Sequence, residues 1–227
     1  MLELLSPAGS PEAVVAAVQN GADAVYLGLE GFNARRGAKN FTPDAFLESL
    51  RYCHERGCKV YVTLNTLASD REIDEAARLG EFVSTAGADA VLVQDLGLAR
   101  VLRSFCPDLP LHASTQMSIH NLAGAHAAAQ LGMQRVVLAR ELSAKQLRFL
   151  AERSPIETEV FVTARCASAT AGSATCRPSS GGAAATAACA PSPAGCSTAW
   201  AGGWTTTPSP SGTTASWSIW PRSSEWA

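Results

Sequence analysis

The first 162 residues alternate between short apolar runs and longer segments whose apolar positions recur every three or four residues. The short runs predict buried parallel strands and the longer segments predict amphipathic helices. Strands are predicted at Leu2–Leu5, Ala24–Leu27, Lys59–Leu64, Ala90–Val93, Leu109–His112, Arg135–Ala139 and Thr158–Val162. A strand followed by a helix, repeated, predicts one parallel sheet with right-handed crossovers.

Glycine positions support a repeated βα unit. The motif Gly-Ala-Asp-Ala-Val stands at residues 21–25 and again at 87–91, and looser copies begin at Gly57 and Gly132. Each glycine is placed to end a helix shortly before a strand begins. Seven such strands without a dinucleotide-binding glycine pattern favour an α/β fold, an incomplete (β/α)8 TIM-like barrel, over a doubly wound sheet.

The composition changes after Val162. Leu, Val, Lys, Asp and Asn are absent from residues 163–227, and all five Trp follow residue 199. We therefore predict two parts, a partial barrel at 1–162 and a low-complexity tail at 163–227 without a fold. This division leaves no candidate for an eighth strand, so the first and seventh strands are expected to be exposed edges.

Charge and cysteine content set broad limits. The net charge of -2 gives no electrostatic reason to expect a nucleic-acid or membrane surface. The first residues resemble no signal peptide, and no apolar run approaches the ~20 residues of a membrane span. Seven cysteines form no compact framework. These features predict a cytoplasmic protein without a membrane partner, and they leave the oligomeric state open.

Polar residues follow the predicted strands, where barrel enzymes place their chemistry. They are Ser6, Gly28, Asn33, Arg35, Arg36, Asn65, Gln94, Asp95, His112, Ser114, Thr115, Gln116, Arg140 and Glu141. From this set we predict that Asn65, His112, Gln116 and Arg140 contact a substrate, either a small anion or a nucleotide. Helix caps and satisfied loops are the alternative for each, and for His112 a hydrogen-bonded barrel residue. The catalytic residues stay unassigned.

Several chemistries find no support in the sequence. There is no zinc-binding HExxH, no nucleophile elbow and no convincing acid pair. Ser114 lies near His112, but no acid completes a triad. Cys53, His54 and Cys58 flank one helix end and do not converge like a metal knuckle, so we interpret these thiols as structural.

The segments LELLSPAGSPEAVVAAVQNGADAVYLG, AKNFT, KVYVTLNTL, LPLHASTQMSIHN, RVVLARELS and ETEVFV follow one another from Leu2 to Val162. In this order and spacing they resemble the collagenase-like peptidases, family thirty-two of the unclassified peptidases. The resemblance implies a barrel-like α/β domain. It also implies activities that include collagen degradation, tRNA and rRNA hydroxylation and oxygen-independent ubiquinone hydroxylation. Several members bind a four-iron–four-sulfur cluster through cysteines just after the EVFV strand.

The cysteine motif of that family does not follow here. The family continues with a pattern like H-G-[AS]-[LM]-C-x-x-Y-S-G-x-C and later C-A-Q-P-C, whereas this chain continues TARCASATAGSATC. No cysteine stands at a family position. The resemblance therefore carries no cluster ligand onto this chain, and we expect no cofactor or metal in it. An iron–sulfur cluster is expected in an intact parent protein.

A break in the reading frame explains the mismatch. Thr163-Ala164-Arg165-Cys166-Ala167 is encoded ACN-GCN-CGN-TGY-GCN, and the same bases read one position earlier permit His, Gly, Ala, Leu and Cys. Continued through Arg177, the shifted codons permit HGALCVSYSGQCYLS, and residues 188–194 permit GLCAQPC. We predict the loss of one nucleotide near Val162, and the alternative is a genuine Ala/Ser/Thr/Pro-rich linker. Under the frame break, Cys166, Cys176, Cys189 and Cys196 are accidents of the shifted codons.

Three hypotheses follow for function. The first is an RNA-hydroxylating iron–sulfur protein as the intact parent, with this chain truncated and inactive. The second is the family's nominal peptidase or collagenase activity. The third is a non-functional, decayed fragment. RNA or a small anionic molecule is the partner expected for the parent.

Overall fold

The computed structural model describes residues 2–30 and 40–162, together with the backbone of residues 218–220. Eight strands lie in this part of the chain. They are β1 (Glu3–Pro7), β2 (Ala24–Leu27), β3 (Lys59–Leu64), β4 (Ala90–Val93), β5 (Leu111–Ala113), β6 (Arg135–Val137), β7 (Glu157–Phe161) and β8 (Ser218–Trp220). The strands pair in chain order and close into a barrel.

Strands β1 to β7 are parallel, as predicted for a TIM-like barrel. The expectation that β1 and β7 are exposed edges is wrong. Strand β8 pairs with both and runs antiparallel, with Leu4 opposite Ile219 on one side and Val160 opposite Ile219 on the other. Edge strands carry unpaired N–H and C=O groups, and a short extended segment of either direction satisfies them. The rest of the predicted tail lies outside the described residues, and the frame break stays a prediction.

Six α-helices form the outer layer within residues 2–30 and 40–162. They are α1 (Pro11–Gln19), α2 (Pro43–His54), α3 (Ile73–Ala86), α4 (Leu96–Phe105), α5 (Leu122–Gln130) and α6 (Ala144–Arg153). Ser10 and Thr42 cap α1 and α2 by accepting hydrogen bonds from Ala13 N and Ala45 N, each at 3.3 Å. A proline follows each cap, at a helical position where its missing N–H costs no hydrogen bond. No helix in residues 2–30 and 40–162 is long and apolar enough to cross a membrane.

Four helices end in the same way. Gly21, Gly57, Gly87 and Gly132 have φ values of 86°, 70°, 93° and 80°. After each glycine, the next amide bonds back to a carbonyl five residues earlier, as Cys58 N does to Cys53 O at 3.0 Å and Ala88 N to Val83 O at 3.1 Å. This is the Schellman ending, which joins a buried pair of small or apolar side chains. Cys53 and Cys58 form one such pair, which supports a structural role for these thiols.

The barrel interior contains charged residues toward the amino-terminal ends of the strands and an apolar layer above them. Strand register places Tyr61, Ala90, His112, Arg135 and Glu159 on the inward face, because paired residues in a sheet share a side. An apolar layer of Leu5, Ala24, Tyr61, Ala90, Leu92 and Val137 fills the middle, and Tyr26 and Phe161 pack against it. Charged residues occupy the amino-terminal half.

We predict that Gly87→Ala lowers the free energy of unfolding by about 1 kcal/mol, because an L side chain at positive φ is strained. No atom lies within 4 Å of a Cβ built at Gly87, so the effect isolates backbone conformation. Gly9→Ala is the matched control, since that site is equally open and has no positive φ. Urea denaturation of both variants measures the difference. Equal stability of the two variants contradicts the requirement for a left-handed residue.

Candidate functional site

Three of the four predicted contact residues lie at the carboxyl ends of strands. Asn65 directly follows β3 and is half-buried, Gln116 lies in a 3₁₀ helix (Thr115–Met117) after β5, and Arg140 is exposed beyond β6. The carboxyl ends of parallel strands meet on one face of a barrel, which is where TIM-barrel sites are built. We call Asn65, Gln116 and Arg140 the rim. Their role in binding stays a prediction, while Asn33, Arg35 and Arg36 lie outside the described residues.

The loops after β5 and β6 are joined to each other. Thr115 Oγ1 donates to Leu138 O at 3.4 Å, and Ala139 N donates to Ile119 O at 2.9 Å. The Ser114 hydroxyl accepts from Gln116 N at 3.4 Å and begins the 3₁₀ helix. These bonds hold the segment that carries Gln116 against the chain that immediately precedes Arg140.

Arg140 has an aromatic neighbour on the next strand. Its guanidinium carbon lies 4.6 Å from the centroid of the Phe161 ring, at the end of β7. This distance is within the range of a cation–π contact. Phe161 is half-buried and packs against the apolar layer inside the barrel. The contact therefore connects the rim to the barrel interior.

Asp95, another polar residue at a strand end, has a structural role. Its carboxylate caps α4 by accepting from Leu98 N at 2.9 Å and accepts from Ala68 N at 3.3 Å. The second bond connects the loop after β3 to the loop after β4. Asp95 therefore fixes the loop that begins at Asn65.

His112 is not brought together with the rim. It lies inside the barrel on β5 with 4% of its surface exposed, and its ring meets the Tyr61 ring edge-on with centroids 5.0 Å apart. Its Nδ1 has no hydrogen-bond partner among the described residues. Burial, followed by the positive charges of Arg135 and Lys59, holds the pKa of His112 well below its ordinary value. The imidazole is therefore neutral near pH 7. His112 lies inside the barrel, but its Nδ1 lacks the hydrogen bond that the alternative of a hydrogen-bonded barrel residue requires.

The charged half of the interior is arranged around Arg135, which is 3% exposed. Its Nη1 lies 3.0 Å from Glu3 Oε1 and 3.7 Å from Glu159 Oε2, and its Nη2 lies 3.6 Å from Glu157 Oε2. Glu3 also accepts from Tyr61 Oη at 2.7 Å and from Lys59 Nζ at 3.1 Å. The buried guanidinium is thus neutralised by carboxylates from β1 and β7.

The same cluster gives its two buried carboxyl groups, Glu3 and Glu159, different pKa values. Burial alone raises the pKa of Glu3, but Arg135 and the hydrogen bonds from Tyr61 and Lys59 outweigh it and hold that pKa below the ordinary value. Burial raises the pKa of Glu159 to about 7, against the opposing effect of Arg135 and with a further increase from Glu3. Burial also raises the pKa of the Tyr61 hydroxyl. Glu3 is therefore charged at neutral pH, and Glu159 is partly protonated.

The sequence pattern alone did not indicate this cluster. Lys59 and Arg135 were predicted only as first residues of strands, and Glu3, Tyr61 and Glu159 had no predicted role. A signal was present, because a charged residue within a barrel strand that is buried on both faces requires an internal partner. The partner itself could be identified only from the register in which neighbouring strands pair.

The described residues do not fit an iron–sulfur cluster. Such clusters need several cysteine thiolates that converge on one point. The three cysteines in residues 2–30 and 40–162 are Cys53, Cys58 and Cys106, and all are buried between helices and strands. This part of the chain contains no group of three or more His, Cys, Asp or Glu side chains that could hold a metal ion. The four later cysteines lie outside the described residues.

The chain is similar in sequence to a known family and to RNA-modifying proteins. The model of peptidase family U32 matches residues 9–192. A 23S rRNA 5-hydroxycytidine synthase of Escherichia coli is 40% identical over 161 residues, which are 71% of this chain and 24% of that protein. The tRNA hydroxylation protein P1 of Bacillus subtilis is 35% identical over 160 residues, which are 70% of this chain and 38% of that protein.

A collagenase of Porphyromonas gingivalis is 33% identical over 151 residues, which are 66% of this chain and 36% of that protein. The structure of the U32 peptidase Mk0906 superposes with a TM-score of 0.57 at 18% identity, over 68% of this chain and 66% of that one. This superposition supports the fold. The chain spans between 24% and 38% of the length of the three relatives.

We predict that Arg135→Met lowers the free energy of unfolding above pH 7 by about 3 kcal/mol or more, because buried carboxylates lose their counter-charge. Arg100→Met, at an exposed position of α4, is the control and should change stability by less than about 0.5 kcal/mol. Denaturant titration measures both. Adding Glu3→Gln and Glu159→Gln to Arg135→Met should recover part of the loss. A loss no larger than that of the control contradicts the proposed burial of charge.

The pH dependence of stability tests Glu159 separately. Its folded pKa of about 7 exceeds the ordinary value of 4.5, so the folded chain binds a proton that the unfolded chain releases between these values. The contribution of Glu159 to stability is therefore present at low pH and is lost as pH rises through about 7.

As the pH rises from about 5 to about 8, the free energy of unfolding of Glu159→Gln should increase by about 2–3 kcal/mol relative to that of the unmodified chain. His112 acts in the opposite direction, because its lowered pKa removes stability as pH falls below 6.5, and this effect cancels in the comparison. Chemical unfolding across this pH range measures the difference. A difference that does not vary with pH overturns the assignment.

Proposed function

Because the chain belongs to peptidase family U32, we propose that it carries the barrel of a protein that takes part in the hydroxylation of RNA. The observation that carries the proposal is 40% identity to an rRNA 5-hydroxycytidine synthase, together with 35% identity to a tRNA hydroxylation protein. The rim lies where a barrel places its ligands. We assign Asn65, Gln116 and Arg140 to contact with RNA in the cytoplasm.

The rim chemistry is compatible with this assignment. Two amides provide donors and acceptors for base edges, and one guanidinium provides a planar cation. Unpaired RNA bases are recognised by such groups and by stacking on aromatic or guanidinium planes. His112 has no part in this assignment, because it is enclosed in the barrel.

We also propose that the iron–sulfur chemistry of the parent protein requires the family's cysteine motif, which the frame break removes from this chain. The codon argument and the change of composition after Val162 support the break. The aligned lengths of 161 and 160 residues are close to the length of the segment before it. The family match itself continues to residue 192, past Val162.

Peptide hydrolysis is the second candidate, favoured by the 33% identity to a collagenase. The described geometry gives it less support. His112 contacts the Tyr61 ring, and its depressed pKa makes it a poor general base at neutral pH. Asp95 and Ser114, the other polar residues considered after strands β4 and β5, are occupied in capping helices.

A complementation experiment tests these proposals. The gene as written and a copy with one base inserted at codon 162 are expressed in a strain that lacks the corresponding hydroxylation gene. Mass spectrometry of tRNA and rRNA nucleosides measures 5-hydroxylated pyrimidines. We expect the repaired gene to restore hydroxylation and the gene as written to leave it absent.

Restoration by the gene as written contradicts the frame break. Failure of both genes, with cleavage of collagen or peptide by the purified protein, contradicts the RNA proposal and supports hydrolysis. Arg153→Ala in the repaired gene is a matched control for Arg140→Ala, because Arg153 lies at the end of α6 away from the rim. Hydroxylation should fall at least about fivefold in Arg140→Ala alone, since one lost stacking or ionic contact weakens binding by about 1–3 kcal/mol.

A further inference from the structure

We propose that the stack of Arg140 on Phe161 is a subsite for one unstacked base of single-stranded RNA. This inference rests on the proposed function and names the part of the substrate that the rim contacts. The guanidinium carbon of Arg140 lies 4.6 Å from the centroid of the Phe161 ring. Arg140 is exposed, so a second planar group can reach its side chain from solvent. Nucleobases stack on arginine planes in this way.

The position of Phe161 sets the orientation of this stack. Phe161 is the last residue of β7, and its ring packs against the apolar layer within the barrel. Tyr26, on β2, packs against the same layer and is also half-buried. Two aromatic rings therefore lie toward the carboxyl ends of the strands, above the apolar layer. A base that stacks on Arg140 lies over the barrel mouth.

We assign the amide of Gln116 to the edge of that base, because Gln116 lies in the segment bonded to the chain just before Arg140. Its 3₁₀ helix is bonded to the end of β6 through Thr115 and Leu138 at 3.4 Å. Its amide offers both a donor and an acceptor, which suits the Watson–Crick edge of a pyrimidine or a purine. Stacking provides affinity for any base, and the amide provides selectivity.

Charge favours base contact over phosphate contact. The chain carries a net charge of -2 and 18 Lys and Arg against 20 Asp and Glu, so it offers no overall attraction to a polyanion. Phosphate-driven binding needs several clustered cations. Binding by this rim should therefore depend on bases more than on the backbone.

The chain contains an internal control of the same chemistry. Arg153 lies over the Phe149 ring at 4.5 Å. Both residues belong to α6, near the end that leads into the amino terminus of β7. This second stack is thus on the outer layer, at the end of the barrel opposite the rim. It matches Arg140 and Phe161 in residue types and distance but not in location.

The test is fluorescence anisotropy of the full 227-residue chain with labelled RNA. The probes are a short oligouridine and an oligomer of equal length whose central nucleotides lack bases. We expect the base-containing RNA to bind at least about fivefold tighter. Arg140→Lys keeps the charge but loses the plane, so the ratio of the two affinities should fall toward one. Phe161→Leu should also lower the ratio, and circular dichroism checks its fold.

Arg153→Lys and Phe149→Leu should leave the ratio unchanged. An unchanged ratio in Arg140→Lys, an equal loss in Arg153→Lys, or equal binding of the two RNAs by the unmodified chain overturns the subsite. Failure of the subsite is distinguishable from failure of the proposed function. Hydroxylation restored by the repaired gene, without base-dependent binding, overturns only the subsite. Base-dependent binding without restored hydroxylation supports the subsite and overturns the proposed function.

Discussion

The barrel depends on one buried guanidinium. Arg135 connects β6 to Glu3 on β1 and to Glu157 and Glu159 on β7, so it reaches strands on both sides of the closure. Removing a charge from water costs several kcal/mol, and the nearby carboxylates offset this cost. A slip of β6 by one residue turns Arg135 outward and removes the guanidinium from the carboxylates of Glu3 and Glu159. The charged cluster therefore fixes the register of strands that an apolar interior specifies less strictly.

The charged cluster and the rim are separated along the barrel axis. The charged cluster fills the amino-terminal half, an apolar layer lies above it, and the rim lies at the carboxyl ends. Such a division is typical of TIM barrels, whose loops vary while the opposite face maintains the fold. His112 belongs to the lower half, where its neutral ring packs edge-on against Tyr61. Its position explains why a histidine near the end of a strand is not part of the rim.

The chain belongs to peptidase family U32, and its relatives carry different names, from RNA hydroxylation proteins to a collagenase. In the described part of this chain, the cysteines are buried in the helix endings and layers of the fold. Within the proposed function, the barrel provides the binding surface, and redox chemistry requires groups beyond it. The Arg140–Phe161 stack belongs to that binding surface, since it connects the exposed rim to the interior.

The sequence by itself determined the order of elements and much of the rim. The strands Ala24–Leu27, Lys59–Leu64 and Ala90–Val93 match their predicted bounds, because apolar runs between glycine and polar residues define a buried strand locally. Asn65, Gln116 and Arg140 were located at strand ends for the same reason, since parallel strands all end on one side.

Only the tertiary structure decided which side chains meet. Glu3 and Arg135 are 132 residues apart in sequence, and their contact depends on barrel closure and on the stagger between strands. The antiparallel pairing of Ser218–Trp220 likewise depends on two edges that exist only once seven strands have assembled. Local patterns encode where a strand begins and ends. The partner of a buried charge is set by the geometry of the closed sheet.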